Sequence, residues 1–116
     1  MNLEKIIQEN GVYIQNSGFK LIETTPEHWK SFYVIAVVSR EEDGVHKIAV
    51  SLGSNEGLKD LVMPTDELNE SMFKLIEVFD RRIKISKFRI DVFQNESGGW
   101  RLETDVSSEK THSGES

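Results

Sequence analysis

Apolar residues recur at helical spacing between positions 68 and 83, and this stripe narrows the choice of folds more than any other pattern in the chain. Successive members are four, three, one, three and four residues apart, which places them on one face of an α-helix. The stripe consists of Leu68, Met72, Leu75, Ile76, Phe79 and Ile83. Acidic residues at 66 and 67 and basic residues from Arg81 to Lys84 suit the two ends of a helix dipole. The sequence therefore predicts one long helix over residues 65–83.

Most of the other apolar residues lie in short runs typical of β-strands. The longest, Phe32 to Val38, is uninterrupted and rich in β-branched residues, as expected of a central strand that is covered on both faces. Five further runs predict strands at 12–14, 19–22, 45–52, 88–92 and 100–106. Turn-forming residues at 16–18 separate the first two runs, which predicts a hairpin there.

These elements predict an α+β fold in the order αββββαββ. A short N-terminal helix over residues 2–10 ends at Gly11, and about six strands form a mostly antiparallel sheet with the long helix on one face. The chain length of 116 residues fits one domain, over residues 1–106. Residues 107–116 contain no apolar side chain and are predicted to form a polar, flexible tail.

Two strand registers follow from the apolar and charged patterns. In the first hairpin of the central strand, a loop at 41–44 pairs Val37 with Ile48, Ile35 with Val50 and Tyr33 with Leu52. The long helix is then expected to cover the sheet face of Tyr33, Ile35 and Val37. In the C-terminal hairpin, pairing Val92 with Trp100 sets Asp91 opposite Arg101 and avoids a like-charge contact between Asp91 and Glu103.

Composition excludes several classes of function. The chain has no cysteine, which excludes disulfides, thiolate metal sites and a cysteine nucleophile. Its three histidines, His28, His46 and His112, share no metal-ligand spacing, and we expect neither a metal nor a cofactor. A formal net charge of −6 argues against a nucleic-acid partner. The N-terminus lacks the pattern of a signal peptide, and no run is long enough to cross a bilayer, so a cytoplasmic protein is expected.

Acidic residues are concentrated in one part of the chain. Residues 41–70 carry eight acidic side chains against two lysines, a net charge of −6, whereas residues 71–95 carry +3. Such an asymmetry suits a surface that attracts a basic protein. The candidate partner-binding residues within it are Glu41, Glu42, Asp43, Glu56 and Asp60.

Three hypotheses of function remain at this point. The first is a small acidic module, like an immunity protein or inhibitor, that neutralises a toxin or another basic enzyme by covering its surface. The second is an acidic chaperone for a secreted effector, because the predicted element order resembles that of such chaperones, although a polar tail stands after Val106 where their closing helix would be. The third is a small enzyme in which His28 or His46 meets carboxylates only in the folded chain.

Overall fold

The computed structural model describes residues 3–40 and 46–108. Within these residues, three helices and four strands follow one another in the order ααββαββ. They are α1 (Leu3–Glu9), α2 (Gly11–Thr24), β1 (Ser31–Arg40), β2 (His46–Ser54), α3 (Asp66–Asp80), β3 (Ile85–Gln94) and β4 (Trp100–Ser108). The strands form one antiparallel sheet in the order β2-β1-β3-β4, and α2 and α3 pack on one of its faces. The α+β class is confirmed, but the sheet has four strands among the described residues instead of the expected six.

The long helix is confirmed, with a shorter C-terminal end than the predicted one. Thr65 caps its start, because the Leu68 N–H donates to the Thr65 hydroxyl at 3.1 Å. Its stripe from Leu68 to Phe79 is fully buried, and the Phe79 ring meets Phe88 of β3 edge-on, with ring centroids 5.1 Å apart. The helix ends at Asp80, and the N–H groups of Arg82 and Ile83 both donate to the Phe79 carbonyl in its final turn.

The hairpin predicted over residues 12–22 is wrong, because this segment forms the helix α2. Its buried residues are Ile14, Ser17, Gly18 and Leu21. Ser17 and Gly18 suggested a turn, but here they let neighbouring elements approach closely. The Ser17 hydroxyl lies 2.7 Å from that of Ser71 in α3, and a Cβ atom at Gly18 would lie 2.2 Å from Leu102 in β4. The helix expected over residues 2–10 corresponds to α1.

The strand β1 is central, as predicted, but the helices cover the face opposite to the expected one. Val34 pairs with Leu52, one residue away from the predicted register. Side chains alternate along a strand, so a shift by one residue exchanges the two faces. The buried β1 residues are Phe32, Val34 and Ala36. Tyr33, Ile35 and Val37 lie instead on the open face of the sheet.

The strand β3 explains which face of β1 is buried. Val34 pairs with Ile90 on the helix-covered side, whereas Tyr33 and Ile35 pair with Asp91 and Arg89. Packing helices on the predicted face would therefore have buried the charged residues of β3 and left its apolar residues exposed, which is strongly unfavourable.

The predicted register of the C-terminal hairpin is also wrong: Val92 pairs with Leu102, and Asp91 faces Glu103. The like charges are tolerated because each is paired along its own strand. Arg89 donates to both carboxylate oxygens of Asp91 at 2.9 Å, and Arg101 lies 3.3 Å from Glu103. Burial raises the pKa of Asp91, but hydrogen bonds from Arg89 and Asn55 outweigh it and hold this pKa below its ordinary value.

The strand β4 extends through Ser108, so the first two residues of the segment predicted as a tail belong to the sheet. Residues 109–116 lie outside the described part of the chain. The loop between β3 and β4 is closed by Asn95, whose side-chain oxygen accepts from the N–H groups of Ser97 and Gly99 at 3.1 and 2.8 Å. Gly98 supplies the positive φ of 90° that this turn needs.

Candidate functional site

A connection without helix or strand joins β2 to α3 over residues 55–65, and we call it the anchored loop. It carries two of the five candidate partner-binding residues, Glu56 and Asp60. The other three, Glu41, Glu42 and Asp43, lie outside the described residues, so the structure neither brings them to this site nor separates them from it.

The start of the anchored loop is fixed to the beginning of β1. The Asn55 N–H donates to the Ser31 carbonyl at 2.8 Å, which extends the sheet pairing by one hydrogen bond. A carboxylate oxygen of Glu56 accepts from the backbone N–H groups of Lys30 and Ser31 at 2.7 and 3.2 Å. Hydrogen bonds to an ionised acceptor are among the stronger ones, so Glu56 acts here as an anchor.

Asp60 forms a second anchor farther along the loop. One of its carboxylate oxygens accepts from the indole Nε1–H of Trp29 at 2.9 Å and lies 2.9 Å from Nε2 of His28. Trp29 is buried in the core, so this contact ties the loop to a rigid part of the molecule. The hydrogen bond from Trp29, followed by that from His28, lowers the pKa of Asp60. The carboxylate therefore stays ionised at neutral pH.

Apolar side chains project into solvent between these anchors and α3. Leu61 is 91% exposed and Met63 70% exposed, while Val62 between them packs against the core. Leu58 is also exposed on the same loop. Isolated exposed apolar residues are common on protein surfaces, but two such side chains on a fixed segment form a defined contact surface.

The surroundings of the anchored loop are acidic. Residues 54–70 carry five acidic side chains against Lys59, a net charge of −4. The first turns of α3 contribute exposed Asp66, Glu67 and Glu70. Glu67 is partly compensated by Lys20 of α2, whose ammonium lies 2.9 Å from its carboxylate. The pKa of Glu67 is lowered by this hydrogen bond, so the acidic character persists at neutral pH.

The hypothesis of a small enzyme required a histidine to meet carboxylates. His28 does meet Asp60, but both side chains are substantially exposed, and Trp29 holds the same carboxylate oxygen. Within residues 3–40 and 46–108, no group of three histidine or acidic side chains is placed to hold a metal ion. Two shallow cavities of about 320 and 420 Å³ adjoin Lys30 and Gln94, and the described residues that line them do not include His28.

Sequence reasoning identified the acidity of this region but missed Leu61 and Met63. The available signal was the cluster of Leu58, Leu61, Val62 and Met63 between Gly57 and Pro64, which follows neither a helical nor a strand period. Apolar residues without such a period, in a segment that can form no regular element, are candidates for surface contacts.

No protein-family model matches the sequence, and no curated protein matches it either. No helix in the described part of the chain is long and apolar enough to cross a membrane.

Proposed function

We propose that this protein binds a basic protein partner, such as a toxin or another basic enzyme, and neutralises it by covering its functional surface. The observation that carries the proposal is the anchored loop, which presents Leu61 and Met63 to solvent within an acidic surround. We take these two side chains as the central contact and the nearby carboxylates as its rim.

Anchoring supports a binding role because it lowers the entropic cost of association. When a loop must become ordered on binding, the entropy that it loses weakens the binding free energy. A loop that is already held in place avoids this loss. Glu56 and Asp60 hold the anchored loop at two points through side-chain hydrogen bonds. Under this proposal both residues act mainly by positioning the loop, and their charges add to the field that attracts the partner.

The arrangement of apolar and charged groups also fits a protein interface. Buried apolar contacts at the centre of an interface supply affinity, and complementary charges around them raise the association rate and select the partner. A partner with an apolar depression surrounded by lysine and arginine would match Leu61, Met63 and the acidic residues near them.

The chaperone hypothesis remains a second candidate because of a different surface. Val12 and Phe19 of α2 are exposed, and apolar side chains of this kind suit an unfolded client. The observed order ααββαββ differs from the predicted order on which the resemblance to such chaperones rested. We therefore favour the occlusion of a folded partner.

A capture experiment with matched variants separates these candidates. The wild-type protein is immobilised in lysate of its own source beside two double variants, Leu61→Ser/Met63→Ser on the anchored loop and Val12→Ser/Phe19→Ser on α2. Both variants exchange exposed apolar residues for serine, so their folding should be equally unaffected, which circular dichroism checks. Mass spectrometry then identifies what each form retains.

The proposal expects one folded basic protein on the wild type and on the α2 variant, and its loss on the loop variant. Purified, that protein should lose activity when the wild type is added. Capture that depends on Val12 and Phe19 and recovers unfolded segments would favour the chaperone instead. Equal capture by all three forms would contradict a role for the anchored loop.

A further inference from the structure

The strand β2 lies at an edge of the sheet, and no strand among residues 3–40 and 46–108 pairs with its outer side. It pairs with β1 without interruption from His46 to Ser54, so its backbone is regular along its whole length. A regular edge strand presents alternate N–H and C=O groups outward and is a template for an added strand.

The two edges of the sheet differ in how they are protected. The strand β4 carries alternating charges, Arg101, Glu103 and Asp105, and its pairing with β3 has an irregularity between Ile85 and Lys87. Charges and irregularities of this kind discourage edge pairing. The strand β2 has only Lys47 as a formally charged residue and has no proline. Of the two edges, β2 is therefore the one open to strand addition.

An apolar strip runs along the β2 edge on the side of the helices. Ile48, Val50 and Leu52 of β2 pack against the core but remain only partly buried. The helix α3 lies above this edge, because it contacts β2 and β3, whereas α2 contacts β3 and places Gly18 against Leu102 of β4.

One side of α3 adds to this strip. Ser71 faces α2 through the Ser17 hydroxyl. Phe73 lies about 200° around the helix from Ser71 and therefore on the side away from α2, above the β2 edge. Phe73 is 37% exposed. The strip thus combines the partly buried side chains of β2 with a partly exposed aromatic ring.

The charges beside the strip indicate what can occupy it. Asp66 and Glu77 lie within about 40° of Phe73 around α3, whereas Lys74, the only basic residue of the helix, lies about 100° away. A second copy of this chain would bring its own Asp66 and Glu77 to the same edge, which is unfavourable. A lysine or arginine can lay its aliphatic stem along Phe73 and place its charge near these carboxylates.

We propose that the β2 edge receives an extended, basic segment of the partner protein as a fifth strand of the sheet. Backbone hydrogen bonds to β2 supply affinity, while the apolar strip and the acidic residues of α3 select segments that combine apolar and basic side chains. The choice of a basic partner rests on the proposed function, but the site is separate from the anchored loop and can be tested separately.

The test uses a synthetic peptide as long as β2 in which lysine and valine take turns at every second position, with serine between them, so that both lie on the face of the apolar strip. The peptide is added to the isotope-labelled full chain. Amide shifts in the NMR spectrum locate the binding site. Ser51→Lys adds a positive charge to the β2 edge, and Ser107→Lys adds the same charge to β4; both serines are exposed and lie on the open face. They form a matched pair, since each substitution alters one edge only.

We expect saturable shifts over residues 47–54, binding about fivefold weaker in Ser51→Lys, and affinity unchanged in Ser107→Lys. The same peptide with glutamate in place of each lysine should not bind. Absence of binding by the lysine peptide, shifts centred on β4, or equal effects of the two substitutions would overturn the inference. Binding to Leu61→Ser/Met63→Ser should be retained, so that loss of partner capture in this variant tests only the anchored loop.

Discussion

Gly18 matters for its size, because α2 and β4 meet at this residue. A Cβ atom there would lie 2.2 Å from Cδ2 of Leu102, which is closer than two non-bonded carbon atoms can approach. An alanine at this position would force Leu102 to rotate, which is unfavourable, but it would also raise the helix propensity of α2, which is favourable. The two effects on stability therefore oppose each other. A bulkier side chain would collide with Leu102 more severely than the gain in helix propensity can offset.

We predict that Gly18→Val destabilises the protein by about 1–3 kcal/mol through overpacking. In a Leu102→Ala background the same substitution should cost clearly less, because the atom it collides with is absent. Urea unfolding of the four proteins in this double-mutant cycle gives the interaction energy. Additive effects would show that Gly18 and Leu102 are not coupled in this way.

The lowered pKa of Asp60 predicts that the contact between Asp60 and Trp29 depends on pH. Its pKa in the folded protein is below the ordinary value of 3.8, so the anchoring contact is fully present above pH 3.8 and is lost as the pH falls through the lowered pKa. The indole Nε1–H signal of Trp29 should shift in this acidic range in an NMR titration. Asp60→Asn should abolish that step, and a wild-type signal constant down to about pH 2 would contradict the anchor.

The helix α3 is the element whose packing is most directly testable. Phe79 is fully buried against Phe88, whereas Phe73 on the same helix is partly exposed. We predict that Phe79→Ala lowers the free energy of unfolding by about 3–5 kcal/mol, a large share of the stability of a small domain. Phe73→Ala is the control and should cost much less in urea unfolding. Similar costs for both would mean that α3 faces the sheet differently.

The sequence was sufficient to predict those elements for which all local signals indicated the same structure. For α3, the apolar period, the acidic first turn and the basic residues from Arg81 to Lys84 all indicated the same helix. For α2, Ser17 and Gly18 have the composition of a turn, and only their contacts with Ser71 and Leu102 show why small residues are needed. That information is tertiary and is not contained in the local pattern.

The strand registers were harder to predict because both faces of β1 are apolar. Its buried face follows from β3, where Ile90 alternates with Arg89 and Asp91, so combining the two strands would have corrected the prediction. The predicted register of the hairpin formed by β3 and β4 is wrong for another reason. Arg89 pairs with Asp91 along its own strand and also lies opposite Asp105 of β4. Contacts of this kind stabilise the observed register as well, so cross-strand charge matching could not choose between the two registers.

The acidic residues between positions 41 and 70 give the protein an asymmetric charge, which should govern the rate of association with a basic partner. We predict that reversing Glu41, Glu42 and Asp43 to lysine slows association with a basic partner and flattens its salt dependence, with little change in stability. Stopped-flow kinetics at several ionic strengths measure both effects. An unchanged rate would place the contact elsewhere, for example at the basic residues from Arg81 to Arg89.

The candidate site was accessible to sequence reasoning only in part. Net charge is the sum of the residue charges, so the acidity around Glu56 and Asp60 could be calculated from the sequence alone. Exposure of Leu61 and Met63 depends on how the anchored loop crosses the molecule, which the contacts of Asp60 with Trp29 and His28 determine. No local pattern encodes a contact across 31 residues.

Inhibition of the captured partner by the purified protein tests whether the anchored loop makes the central contact. Activity of the partner is titrated with the wild type, with Leu61→Ser/Met63→Ser and with Val12→Ser/Phe19→Ser. We expect stoichiometric inhibition by the wild type and the α2 variant, and inhibition at least about tenfold weaker with the loop variant, since two buried apolar contacts are lost. Full inhibition by the loop variant would contradict the claim that the anchored loop makes the central contact.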